Sequence, residues 1–175
     1  MKLIIFDYDD TLFPSTYYTK NTNLTIDDLN VIDNTVCDIF KTLQDNGHTV
    51  IIISNGNMAW INESMKLLPN IKNYVISNKI QIISARDLYD KTTVKYEDWK
   101  RFTIVRILTS EPYYNFDTII GVGDSAIDDI AIKDSCEFVH KKYEFIKIPP
   151  SQVISMFNNT IEKLYNMINK IIKSK

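Results

Sequence analysis

The chain has 175 residues, of which 45% are hydrophobic and 24% are charged, and its formal net charge at pH 7 is −2. This length and composition are typical of one globular domain spanning 1–175 and exclude a disordered or fibrous chain. The small negative charge provides no electrostatic footprint for nucleic acid or for an anionic membrane surface, because both require clustered lysine and arginine.

Nothing in the sequence indicates export or membrane insertion. No apolar run approaches the ~20 residues of a transmembrane helix. The sequence passes from Met1 directly into an apolar segment, without the basic region and cleavage site of a secretory signal. Cys37 and Cys136 are interpreted as core thiols, since a chain of this size needs no disulfide. We therefore expect a soluble, intracellular and cytoplasmic protein.

Short β-branched runs alternate with longer amphipathic stretches along the chain, which is typical of βαβ units and of a parallel sheet buried on both faces. Strands are predicted at 2–6, 49–53, 80–83, 118–122, 137–139 and 145–148. Helices are predicted at 26–46, 58–68, 99–109, 126–133 and 151–172. The fold class is therefore predicted to be α/β, with a mainly parallel sheet.

Capping and breaking residues set several limits of these helices. Thr25 and Asp28 form a capping box in front of the first predicted helix, and Gly47 supplies its stop. Pro69 is expected to end the second helix, and Ser151 to cap the last one.

The C-terminal helix over 151–172 carries apolar residues at spacings of three and four. This pattern predicts one apolar face packed against the sheet. A coiled-coil seam, and with it a dimer, is the alternative hypothesis, although the seam covers less than the three to four heptads expected of a coiled coil. Trp60 and Trp99 are also interpreted as packing residues.

Polar residues follow the apolar runs where the strands are expected to end. Asp7 and Asp9 follow the first strand, Ser54 and Asn55 the second, and Asp124 the strand over 118–122. The carboxyl ends of parallel strands meet at one edge of a sheet, where ligands bind. Two carboxylates two residues apart, joined by a third from another strand, form the hard oxygen cluster that Mg²⁺ prefers.

These residues also carry a resemblance to a known superfamily. The run IIFDYDDTLF at 4–13 resembles the first motif of the haloacid dehalogenase (HAD) superfamily, a hydrophobic strand followed by DxDxT. Ser54 matches the second motif, and GVGDSAIDD at 121–129 matches the fourth. Lys100 takes the place of the third-motif lysine, with Lys95 as its rival. The resemblance spans essentially the whole chain and implies a Rossmann-like three-layer α/β/α sandwich.

The resemblance implies a Mg²⁺-dependent phosphomonoester hydrolase that acts through an aspartyl phosphate. Asp7 would be the nucleophile, and Asp9 the general acid and base that phosphatases carry and dehalogenases lack. Mg²⁺ would be held by Asp7, by the backbone carbonyl of Asp9 and by Asp124.

The remaining predicted site residues would bind and orient a phosphorylated substrate. Ser54, Asn55 and Lys100 are expected to contact it, because phosphoryl transfer spreads negative charge over the equatorial oxygens. Asp128 is expected to orient Lys100 or a metal-bound water, with a helix-surface charge as the alternative. Arg86 could reach a second anionic group, with a salt bridge to a neighbouring aspartate as the alternative.

HAD proteins place specificity caps after the first motif or between the second and third, and neither interval has room for a separate cap domain. An uncapped site is open, which suits macromolecular ends, phosphoproteins or small substrates. The polar stretch 14–23 predicts a loop or small hairpin, and within 14–25 the rings of Tyr17 and Tyr18 would be the nearest equivalent of a lid.

Three other hypotheses stay open. A phosphotransferase or mutase of the same superfamily would use the same residues. A non-catalytic module that binds phosphorylated ligands would keep the fold, although the intact motif residues argue against it. A receiver-like domain would place its phosphorylated aspartate after the third strand, where Ser84 lies. The GxGxxA pattern at 121–126 does not indicate a dinucleotide site, because it is not in the first βαβ unit.

Overall fold

A computed structural model of the protein describes residues 1–21, 23–149 and 153–173 and shows helices around one parallel sheet. In these residues the strands are β1 (Leu3–Phe6), β2 (Thr49–Ser54), β3 (Gln81–Ser84), β4 (Thr118–Gly123) and β5 (Lys142–Lys147). The α-helices are α1 (Ser15–Lys20), α2 (Ile26–Asp45), α3 (Met58–Ser64), α4 (Pro69–Ser77), α5 (Ala85–Tyr89), α6 (Trp99–Leu108), α7 (Ala126–Phe138) and α8 (Ile154–Lys173). Short 3-10 helices lie at Met65–Leu67, Tyr96–Asp98 and Tyr113–Asn115.

The strand order places β1 at the centre of the sheet. The order is β3-β2-β1-β4-β5, and every neighbouring pair is parallel. At the carboxyl end of β1, Phe6 lies opposite Ile52 of β2 and Val122 of β4. The order changes direction between β1 and β4, which is where open α/β sheets bind their ligands.

Alternate residues of β1 enter two hydrophobic cores on opposite faces of the sheet, as the two-residue period of a strand requires. Ile4 and Phe6 pack with α2, α3, α4 and α8, whereas Leu3 and Ile5 pack with α6 and α7. The predicted three-layer α/β/α sandwich is therefore confirmed. No separate cap is present in the described residues, because α1 to α5 with β2 and β3 account for both intervals.

The predicted limits of α2 are confirmed by its capping geometry. The Asp28 backbone N–H donates to the Thr25 hydroxyl at 3.3 Å, and the Thr25 backbone N–H donates to the Asp28 carboxylate at 2.8 Å. Gly47 follows the helix with φ +76°, a left-handed conformation that glycine adopts without steric cost.

The stretch after Pro14 is helical, so the prediction of a loop or small hairpin over 14–23 is wrong. Asp10 explains the difference, because its carboxylate accepts hydrogen bonds from the backbone and the hydroxyl of Thr16 at 2.8 and 2.6 Å. These bonds tie the first turn of α1 to the loop after β1. Thr22 lies outside the described residues.

Pro69 begins a helix, whereas the prediction had it only ending the preceding one. The chain leaves α3 at Ser64, passes through one 3-10 turn, and starts α4 with Pro69 in its first turn. Proline is tolerated there because the first N–H groups of a helix have no intrahelical acceptor. The short helix α5 was also missed, although Ser84 caps it by accepting from the Asp87 backbone N–H at 2.9 Å.

The predicted strand at 137–139 is wrong, because α7 continues to Phe138. Ser135 and Cys136 are buried at the helical spacing that Ala131 and Ile132 begin, so the packed face extends beyond the predicted end at 133. The last strand is β5, which starts earlier than the predicted strand at 145–148.

The C-terminal helix buries one apolar face, as predicted, but its main neighbour is α2 rather than the sheet. The buried side chains on this face are those of Phe157, Ile161, Leu164 and Ile168. The predicted cap Ser151 lies outside the described residues, and dimer formation through this helix stays a prediction. None of the described helices combines the length and apolarity needed to cross a bilayer.

Candidate active site

A cavity of about 380 Å³ opens at the carboxyl edge of the sheet, above the ends of β1 and β4. Most of the predicted site residues line it: Asp7, Asp9, Asn55, Arg86, Lys100, Asp124 and Asp128. Ser54 is fully buried at the end of β2 and lies behind Asp9. The strand ends therefore bring together residues that are far apart in the sequence.

The loop after β1 determines where the first two carboxylates lie. The Asp7 backbone N–H donates to the Val122 carbonyl at 2.8 Å, so the pairing of β1 with β4 extends one residue beyond the strand. The carbonyl of Tyr8 then accepts from the backbone N–H groups of Leu12 and Phe13 at 2.9 and 3.0 Å. This tight turn brings the chain back immediately and leaves Asp7 and Asp9 both facing the cavity.

Lys100, in the first turn of α6, bridges two buried carboxylates. Its ammonium group contacts the Oδ1 atoms of Asp7 and Asp128, and all three side chains are at most 7% exposed. The Thr11 hydroxyl donates to the other oxygen of Asp7 at 3.1 Å. The structure thus brings Lys100 to Asp7, whereas Lys95 is exposed in front of a 3-10 helix.

Burial and crowding of charge shift the pKa values of this cluster. Burial raises the pKa of Asp7 from 3.8 to about 7, even though the Lys100 ammonium acts in the opposite direction. Burial also raises the pKa of Asp124 to about 6, and the nearby carboxylates of Asp128 and Asp10 add to the effect. Burial alone would lower the pKa of Lys100, but its two carboxylate partners hold that pKa above its ordinary value.

Asp128 is part of the buried cluster, so the alternative that it is a helix-surface charge is wrong. Ser125 and Asp128 form a capping box at the start of α7, with the Ser125 hydroxyl 2.5 Å from Asp128 Oδ2. Gly123 permits this approach, because a Cβ atom there would lie 2.7 Å from the Cβ atom of Asp128. The helix cap and the lysine contact use different oxygens of the same carboxylate.

Asp7, Asp124 and Asp128 form a cluster that fits a divalent cation. Each offers a carboxylate oxygen, and these oxygens lie within 4.8 Å of one another. Oxygen donors are those that Mg²⁺ prefers, and the raised pKa values of Asp7 and Asp124 indicate negative charge that a cation would stabilise. The side chain of Asp9 is not part of this cluster, so its predicted part in metal binding rests on its backbone carbonyl.

Asp9 is surrounded by neutral hydrogen-bond donors. Its Oδ1 atom accepts from the Ser15 hydroxyl at 2.6 Å and from the Trp60 indole N–H at 2.7 Å. Its Oδ2 atom accepts from the Ser54 hydroxyl at 2.9 Å, which in turn accepts from the Gly56 backbone N–H at 2.8 Å. Ser54 is therefore engaged with Asp9 and does not point freely into the cavity.

Sequence reasoning missed Ser15 and Trp60 as members of the site. Ser15 was assigned to a loop, and Trp60 was interpreted as a packing residue. The one available signal for Trp60 was its place in the first turn of the helix that follows the second motif.

Asn55 and Arg86 also line the cavity. The Oδ1 atom of Asn55 is buried and has no hydrogen-bond partner within the described part of the chain. The guanidinium group of Arg86 lies 6.0 Å from the ring centroid of Trp99. The alternative of a salt bridge from Arg86 to a neighbouring aspartate is not borne out in the described residues, and Asp87 instead accepts from the backbone N–H of Met58 at 2.9 Å.

The predicted lid residues lie beside the cavity. Tyr18 packs on Phe13 and Trp60, with ring centroids 5.4 and 5.8 Å away, and neither Tyr17 nor Tyr18 lines the cavity. Closure by 14–25 stays a prediction.

Comparison with known proteins identifies the fold. The sequence matches no family model and no curated protein. Among solved structures, the HAD domain of the effector protein Lem4 from Legionella pneumophila is similar, with a TM-score of 0.53 and 12% sequence identity. The similarity covers 96% of this chain and 97% of the other. The chain therefore has the HAD fold, and the resemblance predicted from its motifs is confirmed at the level of the fold.

Proposed function

We propose that this chain, which has the HAD fold, is a Mg²⁺-dependent phosphatase that hydrolyses phosphate monoesters through an aspartyl phosphate. One observation carries the proposal: Asp7 and Asp9 line the same cavity but lie in different environments. Asp7 contacts a buried lysine, and Asp9 is held by neutral donors. Two carboxylates in unlike environments suit a nucleophile and an acid and base.

In the first step, an oxygen of Asp7 forms a bond to phosphorus while the bond from phosphorus to the ester oxygen breaks. The departing alkoxide takes the proton of a protonated Asp9 and leaves as an alcohol. Lys100 holds the carboxylate of Asp7 in place and supplies positive charge beside the phosphoryl oxygens.

In the second step, water attacks the phosphorus atom and the bond from phosphorus to Asp7 breaks. Asp9 takes the proton of this water and returns to its protonated form, so the products are an alcohol and inorganic phosphate. Mg²⁺ bound by Asp7, Asp124 and the Asp9 carbonyl would neutralise negative charge on the transferred group. In this proposal Asp128 orients Lys100, with which it is in contact.

Substrate recognition is assigned to the walls around these carboxylates. Asn55 offers a buried amide oxygen without a partner among the residues described, and its amide group suits a hydroxyl or phosphoryl oxygen of the substrate. Arg86 is exposed at the cavity and suits a second anionic group. Ser54 acts through Asp9 rather than by direct contact. The open cavity leaves small and macromolecular phosphomonoesters as candidate substrates.

The test is release of free phosphate from a substrate panel, measured with Mg²⁺ and with EDTA. The panel contains sugar phosphates, nucleotides, phosphopeptides and end-phosphorylated oligonucleotides. Asp7→Asn is the test variant, and Asp129→Asn is the matched control, because Asp129 is an exposed aspartate on α7 outside the cavity. We expect Mg²⁺-dependent release that persists in the control and is lost in Asp7→Asn.

Two other outcomes would replace the proposal. Transfer of phosphate to an added alcohol in preference to water would identify a phosphotransferase. No release across the panel, together with Mg²⁺ and phosphoester binding, would favour the non-catalytic module.

A further inference from the structure

Trp60 contacts the carboxylate of Asp9 through the only polar atom of its side chain. The indole N–H donates to Asp9 Oδ1 at 2.7 Å, across 51 residues of sequence. Ser15 donates to the same oxygen at 2.6 Å, and Ser54 donates to the opposite oxygen at 2.9 Å. Trp60 also lines the cavity, so its ring lies at the boundary between Asp9 and the space open to a substrate.

Neighbouring residues hold both the backbone and the ring of Trp60. The side chain of Asn57 caps α3 by accepting from the Trp60 backbone N–H at 2.8 Å. The ring centroids of Phe13 and Tyr18 each lie 5.8 Å from that of Trp60. Because both ends of the residue are constrained, the indole N–H presents one fixed direction to Asp9.

An indole N–H differs from a hydroxyl group in its capacity to form hydrogen bonds. It can only donate, whereas the hydroxyls of Ser15 and Ser54 can donate or accept. Asp9 Oδ1 therefore stays an acceptor toward Trp60 whether or not the carboxyl group carries a proton.

We propose that Trp60 is a positioning residue for Asp9: its indole N–H holds the carboxyl group in one orientation beside the leaving group. This inference rests on the proposed function and deepens it. The interpretation of Trp60 as a packing residue alone predicts no effect specific to proton transfer.

The dependence of the rate on the leaving group distinguishes a role of Trp60 in proton transfer from a role in packing. An alkoxide is a poor leaving group and depends on a proton from Asp9, whereas para-nitrophenolate leaves without one. Loss of a positioning contact should therefore slow alkyl phosphates selectively. Loss of packing should slow all substrates alike.

The experiment measures kcat/KM, which reports transfer of the phosphoryl group to Asp7 and not the later attack of water, over a series of phosphate monoesters from alkyl esters to para-nitrophenyl phosphate. Trp60→Phe removes the N–H and retains an aromatic ring. Asp9→Asn is the reference for complete loss of the acid. Tyr74→Phe is the matched control, since it removes one hydrogen bond, to Gln44 at 2.8 Å, far from the cavity.

For Trp60→Phe we expect kcat/KM to fall about ten-fold for an alkyl phosphate and less than about two-fold for para-nitrophenyl phosphate. This is a part of the ~10²–10⁴-fold that a general acid contributes. Asp9→Asn should show the same selectivity in kcat/KM with a larger amplitude. Tyr74→Phe should follow the unmodified protein across the series.

A second replacement keeps the inference testable if Trp60→Phe fails to fold. Benzothienylalanine at position 60 retains the bicyclic ring and its packing but has sulfur in place of the N–H. It should give the same selective loss.

The outcomes distinguish the inference from the function on which it rests. A loss that is equal for all leaving groups in both Trp60 replacements, beside a selective loss in Asp9→Asn, would overturn the role of Trp60 alone. A loss in Asp9→Asn that is equal for all leaving groups would overturn the acid role of Asp9. No hydrolysis by the unmodified protein would overturn the proposed function, and the inference with it.

Discussion

The two carboxylates that follow β1 are only two residues apart, yet the protein surrounds them with opposite kinds of partner. Asp7 lies among charges: the Lys100 ammonium contacts it, and Asp128 and Asp124 complete the cluster. Asp9 accepts from two hydroxyls and one indole N–H. The separation arises because Asp7 lies beside residues of α6 and α7, whereas Asp9 contacts residues of α1, α3 and the end of β2.

This difference shows how one fold can prepare two identical carboxyl groups for different chemistry. In the proposed function, Lys100 and a bound Mg²⁺ would together favour the ionised form of Asp7 that attacks phosphorus. A carboxyl group held by neutral donors can exchange a proton without disturbing a salt bridge. Substitutions at these positions test whether the two carboxylates have different roles.

Exchanging each carboxylate for its amide should give unlike defects. Asp7→Asn should lower kcat by roughly 10³-fold or more and leave no covalent phosphoenzyme, because the nucleophile is lost. Asp9→Asn should lower kcat for para-nitrophenyl phosphate by ~10²–10⁴-fold while a phosphoenzyme accumulates, because the attack of water, unlike the departure of para-nitrophenolate, lacks its base. Acid quenching and mass measurement of the intact chain check this. A phosphoenzyme in Asp7→Asn would assign the nucleophile elsewhere.

Removing the cation from the Asp7 cluster should destabilise the fold. Lys100→Met leaves Asp7 and Asp128 buried beside each other without a positive partner, and breaking such a pair costs about 3–5 kcal/mol. Chemical denaturation in EDTA measures the free energy of unfolding, with exposed Lys95→Met as the control. A loss no larger than that of the control would show that the cluster does not depend on Lys100.

The metal-free protein should lose stability as pH rises. The pKa values of Asp7 and Asp124 are raised from 3.8 to about 7 and about 6 in the folded protein, so folding favours their protonated forms. Their contribution is present at about pH 4 and below and is lost as pH rises through about 6 to 7. We expect the Tm in EDTA to fall by roughly 5 °C over this interval.

Asp124→Asn should reduce this fall, and Mg²⁺ should raise the Tm more at about pH 8 than at about pH 5, since metal binding needs ionised carboxylates. Thermal unfolding over a pH series provides the measurement. A fall of the same size in Asp124→Asn would exclude Asp124 as a source of the pH dependence.

The smallest effect is expected for Arg86, which lines the cavity. Arg86→Gln should raise KM about 5-fold for phosphomonoesters that carry a second anionic group and leave kcat unchanged, because in the proposed role Arg86 would bind substrate and transition state equally. Arg106→Gln, an exposed arginine of α6 that does not line this cavity, is the control. An equal change in KM for substrates with and without the second group would contradict this role.

The α/β fold and most of the residues at the cavity could be predicted from the sequence alone. Buried parallel strands appear in a sequence as continuous apolar runs, and the polar residues that follow them meet at one edge of the sheet. The positions of Asp7, Asp9 and Asp124 at the cavity could therefore be predicted from the sequence pattern alone. The capping box of α2 was equally readable, because Thr25 and Asp28 are three residues apart.

The hydrogen-bond and ion-pair partners of Asp7 and Asp9 are seen only in the tertiary structure. Lys100 meets Asp7 across 93 residues, and Trp60 meets Asp9 across 51. No local pattern specifies such distances, because they follow from the angle at which each helix packs on the sheet. The same reason explains the errors at Pro69 and at 14–23, where a proline and polar side chains are compatible with either a turn or a helix start. Propensity and spacing describe neighbours along the chain, whereas the chemistry of this site depends on neighbours in space.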